Sequence, residues 1–527
     1  MKTTFKILAA TLLMVSCGSS NQNTKKQAEN KPPADPTEYG NTITSDELKE
    51  MLYTYASDEF EGRETGEPGQ KKAVNYLKEQ YMKMGIPSPL PGDDYFQEVP
   101  LQKQKSPEAM LKVKGTSFEQ FTDFLVLGSV ETETMDMSNI VYVGYGIDTE
   151  NYSNYSGLDV KGKIVLAKSG EPKNEDGTYV TTGTSEETKW SSGRGSLSSK
   201  RDAAKENGAK ALFYLEPALF ERYANYYRAV AESGQAGRIS LKSNDPSTLF
   251  MMINEDLAKA LFANINDDDQ PKNIASSVTL DIKSQSEQVE SENVVAFIRG
   301  TEKPDEILVI SAHLDHEGVK DGKVYNGADD DGSGTVAILE IAEAFKTAAD
   351  NGDGPKRSIL FLHVTGEEKG LLGSRHYSDN DPIFPLKNTV ADLNIDMIGR
   401  TDPKRTGGDR NYIYLIGSDK LSTELHELSE EVNTKYTNIE LDYKYNDEND
   451  PNRFYYRSDH YNFAKNNIPV IFYFNGTHDD YHQPTDTPDK IEYDLLENRT
   501  RLVFYTAWEV ANRDARLIVD KAETESE

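Results

Sequence analysis

Cysteine is nearly absent from this sequence, and so are long apolar runs. The single cysteine among 527 residues is Cys17, so no internal disulfide can form, and we expect no cysteine zinc site or catalytic thiol in the processed chain. Hydrophobic residues account for 36% of the chain and charged residues for 28%. These proportions are usual for a water-soluble globular protein and exclude a bundle of membrane helices.

Basic residues are also in short supply. The chain has 58 lysines and arginines against 89 aspartates and glutamates, which gives a formal charge of -31. Such a field repels phosphate backbones and mildly favours cationic ligands such as free amino termini, so we expect no nucleic-acid partner. The G-x-S-x-G elbow of serine hydrolases and the H-E-x-x-H helix of other metalloproteases are both missing.

The N-terminus has the features of an export signal. Lys2 and Lys6 precede an apolar run, residues 7–15, that is too short to span a bilayer. The run ends in Leu-Met-Val-Ser-Cys, which resembles the lipobox of bacterial lipoproteins and implies a lipid on Cys17. We therefore expect a signal peptide over 1–16, a polar, disordered tether over 17–40, and export to a bacterial outer membrane, facing the periplasm or the cell surface. The sequence leaves the oligomeric state open.

The remainder is long enough for two domains. Helical spacing of apolar residues predicts helices over 47–55 and 71–84, and further helices over 334–346, 420–434 and 496–515. Strand signals at 307–310, 358–364, 393–395, 412–416 and 470–474 alternate with these later helices. Alternation of this kind predicts an α/β fold whose mostly parallel central sheet is covered by helices on both faces. We assign 41–124 and 289–520 to this domain.

Residues 125–288 interrupt that pattern. Strand signals occur at 139–147 and 162–170, and about 160 residues is too long for a structureless loop. The stretches IVYVGYGIDTENYSNYSGLDVKGKIVLAKSGEP and KRDAAKENGAKALFYLEP resemble a protease-associated domain. The resemblance implies a smaller, β-rich insert domain over 125–288.

Candidate metal ligands follow the predicted strands. They are His313, Asp315, Glu367, Glu368, Asp396 and His482, joined by three consecutive aspartates at 329–331 within NGADDDGSGT, just ahead of a helix. Each has an ordinary explanation when taken alone, such as surface exposure, core packing or helix capping. Their joint placement at strand ends favours a metal site, because charged groups beside an apolar sheet need partners.

The motifs SAHLDHEG, YNGADDDGSGT, TGEEKGLLGS, LNIDMIG, YRSDH and YHQPTDT resemble, in order and approximate spacing, those of the M28 family of zinc exopeptidases. DEFEGRETGEPGQKKAVNYL resembles that family's N-terminal region. The resemblance implies two zinc ions per chain. His313 and Asp396 match the terminal ligands of one ion, Glu368 and His482 those of the other, and Asp330 the bridging carboxylate, followed by a cis peptide bond to Asp331.

The resemblance also implies roles beside the metals. Glu367 matches the general base that activates a zinc-bridged hydroxide, and Asp315 matches a carboxylate that orients the His313 imidazole. Arg457 and Tyr481 match positions that contact the tetrahedral intermediate or the substrate terminus in some members. For Tyr481, packing beside His482 is an equally good explanation. His316 and His460 lie in the motifs without an assigned role.

These matches predict an aminopeptidase that releases N-terminal residues from peptide substrates. A carboxypeptidase or dipeptidase of the same family is an alternative, because the sequence does not decide which terminus is trimmed. A single-zinc glutaminyl cyclase has a related fold, but five ligands argue for two ions. Presence of all five ligands and the base disfavours a non-catalytic binding protein.

Overall fold

The computed structural model describes residues 34–128, 130–233, 237–242 and 248–521, and the described residues from Pro36 onward form one compact unit. Cys17, the signal peptide and most of the expected tether lie outside the described residues. Among the residues that are described, no helix has both the length and the apolar character needed to cross a membrane.

A mixed β-sheet of nine strands, counted over the described residues, positions the candidate site. Across the sheet these strands are Glu440–Asp442, Tyr412–Ile416, Val470–Phe474, Thr389–Ile395, Lys303–His313, Arg357–Val364, Glu287–Ile298, Phe96–Lys103 and Ile239–Leu241. The four central strands, Val470–Phe474 to Arg357–Val364, run parallel. Pairing toward the Ile239–Leu241 edge is antiparallel. The α/β class is confirmed, with the parallel pairing concentrated at the centre of the sheet.

Helices cover both faces of this sheet, and the strand Arg357–Val364 shows how. Successive strand residues point to opposite faces. On one face the Phe361 ring lies 6.2 Å from that of Tyr81, in the helix Pro68–Met84. On the other, Leu360 and Leu362 belong to an apolar cluster that includes Phe463. A strand buried on both faces is largely apolar, which is why residues 359–362 of this strand form an unbroken apolar run.

The predicted helices are present with small shifts at their ends. The α-helices of the described residues are Pro36–Gly40, Ser45–Tyr55, Pro68–Met84, Gly193–Glu206, Pro217–Ser233, Glu255–Leu261, Gly334–Asp350, Leu372–Arg375, Thr423–Val432, His460–Ala464 and Tyr493–Asn512. Pro68 begins its helix because a proline in the first turn has no N–H to leave unpaired. The Thr44 hydroxyl caps the helix Ser45–Tyr55 by accepting from the Glu47 N–H.

A second sheet of eight strands, again counted over the described residues, lies between Glu108 and Lys283. Its strands, in order, are Thr116–Phe118, Glu108–Val113, Lys272–Lys283, Glu133–Tyr142, Ile164–Lys168, Ala211–Leu215, Leu249–Ile253 and Phe124–Leu127. Apolar clusters lie on both of its faces. The division into a peptidase-like domain and a protease-associated insert over 125–288 stays a prediction.

One short segment of the expected insert belongs to the main sheet. Ile239–Leu241 pairs antiparallel with Phe96–Lys103, with Leu101 opposite Leu241 and Lys103 opposite Ile239. This pairing brings Arg238, the preceding residue, beside Gly370. The interrupting segment therefore contacts the main sheet near the candidate metal ligand Glu368.

The buried Arg63 side chain ties the N-terminal helices to the loops that carry candidate ligands. It is 1% exposed, and its guanidinium donates to the carbonyls of Leu314, Asn326 and Gly327 at 3.1, 2.6 and 2.9 Å. It also stacks 4.6 Å from the centre of the Tyr55 ring. One planar group thus holds the loop after His313 against the turn that leads into the three aspartates.

Replacing Arg63 with lysine should destabilise the protein. An ammonium cannot span several carbonyls at once, and each buried carbonyl left without a donor costs about 1–3 kcal/mol. We expect Arg63→Lys to lower the free energy of unfolding by about 2–4 kcal/mol in urea denaturation. Arg201→Lys is the control, because Arg201 is 48% exposed and pairs with the adjacent Asp202. Equal small effects in both variants would contradict the role given to Arg63.

Candidate metal centre

The candidate ligands meet at one edge of the main sheet. His313 ends the strand Lys303–His313, and Asp396 directly follows Thr389–Ile395. Glu368 and His482 lie in the loops after Arg357–Val364 and Val470–Phe474. The next two strands of the main sheet along the chain, Arg357–Val364 and Thr389–Ile395, lie on opposite sides of Lys303–His313. Connections that leave in opposite directions open a crevice at the carboxyl ends of parallel strands, and the ligands lie in that crevice.

Asp330 joins two groups of donor atoms. Its Oδ1 lies 3.2 Å from Nε2 of His313, which is in turn 3.6 Å from Oδ1 of Asp396. Its Oδ2 lies 3.0 Å from Nε2 of His482, which is 3.1 Å from Oε2 of Glu368. One carboxylate therefore faces both donor groups, one oxygen to each, which is the arrangement expected of a bridging ligand.

The two aspartates beside Asp330 are occupied by hydrogen bonds. Oδ1 of Asp329 accepts from the Gly399 N–H at 2.6 Å, and Oδ1 of Asp331 accepts from the Met397 N–H at 3.1 Å. The peptide bond between Asp330 and Asp331 is cis, as expected from the family resemblance. The outer aspartates thus fasten this turn to the loop after Thr389–Ile395, and the middle carboxylate points into the site.

The donor set fits zinc. His313 Nε2, Asp330 Oδ2 and Glu368 Oε1 are buried and make no hydrogen bond within the described residues. Imidazole and carboxylate are both common zinc ligands. Burial would lower the pKa of His313, but Asp330 and Asp396 hold that pKa well above its ordinary value. Burial would likewise lower the pKa of His482, yet Asp330 and Glu368 raise it to about 10. Both shifts show that the carboxylates create a strong demand for positive charge here.

Glu367 stands beside the donor groups without joining them. Burial raises the pKa of its carboxyl well above the ordinary value, and Glu368 and Asp396 add to this effect, although His313 opposes it. Its N–H donates to Oδ1 of Asp315 at 3.2 Å. The side chain lines a cavity together with Asp330 and Asp396. A carboxylate in that position can exchange a proton with a molecule bound in the cavity.

Asp315 contacts His313 differently from the expectation. The His313 Nδ1 lies 3.0 Å from the main-chain carbonyl of Asp315, whereas the Asp315 carboxylate is 4.0 Å away. The carboxylate instead accepts from the Thr65 hydroxyl at 2.6 Å and from the Glu367 N–H. The carbonyl is thus the group that orients the imidazole, and the carboxylate fixes the loop that carries Glu367.

Arg457 and Tyr481 line the same cavity as Glu367. The Tyr481 ring stacks on that of His482 with centroids 4.0 Å apart and an interplanar angle of 23°. The packing explanation and the cavity position therefore both hold for Tyr481. Arg457 is exposed, and its guanidinium lies 4.9 Å from the centre of the Phe454 ring.

His460 and His316, to which the sequence assigns no role, have different surroundings in the structure. His460 stacks on Phe472 with ring centroids 4.7 Å apart, and burial lowers its pKa to about 3. It is a core residue. His316 is fully buried, and its Nδ1 lies 2.9 Å from Oε1 of Glu368. Its position three residues after His313, beyond a strand end, was the sequence signal that could have placed it in the site.

Two adjoining donor groups at the carboxyl edge of an α/β sheet define a candidate two-metal centre. Residues 293–507, which contain all five expected ligands, match the model of Peptidase family M28. The chain is 31% identical over 160 residues to Aminopeptidase YwaD of Bacillus subtilis (strain 168), covering 27% of this chain and 33% of that protein.

Other relatives differ in the activity they are named for. The chain is 32% identical over 105 residues to Probable glutamate carboxypeptidase LAMP1 of Arabidopsis thaliana, covering 20% of this chain and 14% of that protein. A solved structure of BSAP, a zinc aminopeptidase from Bacillus subtilis, aligns with a TM-score of 0.45 and 19% identity over 90% of this chain and 98% of that one. The chain thus spans a third or less of the two curated relatives.

The two adjacent glutamates should differ in their effect on bound zinc. Glu368→Gln removes an anionic donor and should lower zinc content by about one ion per chain after dialysis, measured by elemental analysis. Glu367→Gln is the matched control, because it makes the same change one residue earlier and should retain zinc. Equal zinc loss in both variants would show that these positions are wrongly assigned.

Proposed function

We propose that the protein is a zinc-dependent exopeptidase, and specifically an aminopeptidase that releases N-terminal residues from peptides. The observation that carries the proposal is the placement of Asp330, with one oxygen toward each donor group, next to Glu367 in a shared cavity. The M28 match over 293–507 and the relatives named aminopeptidases support it.

Two zinc ions, when bound, would supply Lewis acidity and lower the pKa of a shared water. His313, Asp330 and Asp396 would hold one ion, and Asp330, Glu368 and His482 the other. Glu367 would take a proton from the attacking water at its carboxylate and deliver it to the leaving amine. Its partly buried position keeps this proton exchange inside the cavity. The donors of Arg457 and Tyr481 lie on the cavity wall, where they would stabilise negative charge that develops on the scissile carbonyl oxygen.

The cavity also constrains the substrate. Four of its lining residues are apolar, namely Met397, Phe454, Phe472 and Phe474. A substrate side chain that packs against this wall is expected to be apolar, since a polar one would lose its hydration without gaining partners. The acidic groups of the cavity, among them Glu367, favour a cationic amino terminus over a carboxylate.

A carboxypeptidase is the second candidate, and a specific feature favours it. A neighbouring cavity next to Glu368 is lined by Lys103, Arg238 and Lys369. Cationic side chains of this kind would bind a substrate's terminal carboxylate. A single-zinc glutaminyl cyclase would need only one of the two donor groups, so the zinc stoichiometry separates it from either peptidase.

We also propose the cellular setting that the N-terminal motif supports. The chain would be exported and anchored to the outer membrane by a lipid on Cys17, with peptides as its substrates and no nucleic-acid partner. The segment 125–288 would be a protease-associated domain that stands beside the cleft.

Peptides blocked at one terminus should decide between the two exopeptidases. We expect hydrolysis of a peptide with a free amino terminus and an amidated carboxyl terminus, and no hydrolysis of the acetylated peptide with a free carboxylate, measured by mass spectrometry. Glu367→Gln should lower kcat on the cleaved peptide by roughly 10²–10⁴-fold, the usual contribution of a general base. Cleavage of the acetylated peptide alone would identify a carboxypeptidase instead.

A further inference from the structure

His316 is a buried histidine in the site that the five-ligand arrangement leaves unused. Its side chain is fully buried, and neither ring nitrogen makes a hydrogen bond within the described residues. A buried polar group without a partner costs free energy, so a native protein keeps one where something else binds it. The ring also lies edge-on to that of His482, with centroids 5.7 Å apart.

The Nδ1 atom of His316 points at the donor group formed by Asp330, Glu368 and His482. It lies 2.9 Å from Oε1 of Glu368 and 3.7 Å from Oδ2 of Asp330. His482 Nε2 lies 3.0 and 3.1 Å from oxygens of the same two carboxylates. Donors that are each about 2.0–2.1 Å from one tetrahedral zinc ion are separated by roughly 3.4 Å. His316 and His482 thus each place a ring nitrogen at or near ligand spacing from the carboxylates of Asp330 and Glu368.

The local sequence holds the ring in this position. A Cβ on Gly327 would lie 2.5 Å from Cγ of His316, so only glycine lets the ring approach that turn. The positive φ of 55° at Gly327 suits glycine for the same reason. The His316 N–H donates to the Arg63 carbonyl at 3.3 Å. The imidazole is thus fixed by neighbouring backbone before any ion binds.

We propose that His316 is a fourth protein ligand of the second zinc site, with Asp330, Glu368 and His482, so that the two sites are unequal. This inference rests on the proposed two-zinc centre. Four protein ligands fill the tetrahedral positions of a zinc ion, so the shared water would be a fifth ligand there, whereas three leave a position open for water or substrate. The site formed by His313, Asp330 and Asp396 has three ligands. Substrate therefore binds at that site, and the four-ligand site holds its ion more tightly.

Zinc competition on the full-length protein tests the proposal. The wild-type protein, loaded with two zinc ions, is titrated with a chromophoric chelator, and the two dissociation constants are measured. We expect two classes of zinc site, a tight class and a weak class. Loss of an outer-shell partner weakens metal binding by 10–100-fold, so loss of a direct ligand in His316→Phe should weaken the tight class by at least about 100-fold.

Two further variants separate ligation from packing. His316→Asp places a carboxylate oxygen near the position of Nδ1 and should recover most of the lost affinity, which a purely structural role would not allow. His460→Phe is the matched control, because His460 is also fully buried and, in the part of the chain that the structure describes, neither ring nitrogen is hydrogen-bonded. It should leave both zinc classes unchanged. Thermal unfolding of the zinc-free variants shows that each is folded.

The results distinguish this proposal from the one on which it rests. A wild-type protein that binds no zinc would overturn both. Two zinc ions whose affinities are the same in wild type and His316→Phe would overturn the role of His316 alone. Weakening of only the weak class would also overturn it, because His316 would then act on the other site.

Discussion

Several carboxylates can be buried together only if positive charge is buried with them. Asp330, Glu367, Glu368 and Asp396 all lie in or beside one small crevice, where a buried charge without a partner is costly. Burial and Asp330 would raise the pKa of Glu368, but contacts with His316 and His482 outweigh them and lower it to about 2. This demand for cations explains why the crevice contains metal-binding residue types, and why their neighbours fasten them so closely.

The turn at 329–331 shows how the chain meets that demand. Three adjacent aspartates would repel one another if all faced the crevice. The flanking two instead accept hydrogen bonds from N–H groups of the loop at 397–399, and of the three only Asp330 faces the donor groups. The hydrogen bonds also lock the loop after Asp396 to this turn. These contacts thus position Asp396 and leave Asp330, rather than its two neighbours, as the ligand from this turn.

Much of the fold and the edge of the sheet that carries the site could be predicted from the sequence, because apolar periodicity reports burial directly. The helix predicted over 334–346 is the observed Gly334–Asp350, and the strand 470–474 is observed with the same bounds. The spacing from His313 could have placed His316 near the site, but sequence alone could not show the orientation of its ring, which depends on packing against Gly327, 11 residues later. Nor could it show that Asp315 orients His313 through its carbonyl, since main-chain contacts leave no trace in side-chain identity.

The pairing of Ile239–Leu241 with Phe96–Lys103 has a consequence for how this architecture can evolve. An insertion that only leaves and re-enters a domain can be lost as a cassette, with the parent sheet intact. Here the segment predicted to be an insert also supplies the outermost strand of that sheet. Its loss would bare the N–H and carbonyl groups of Phe96–Lys103 that face it, and an uncovered edge invites pairing with another chain. The two sheets are therefore expected to be inherited as one unit.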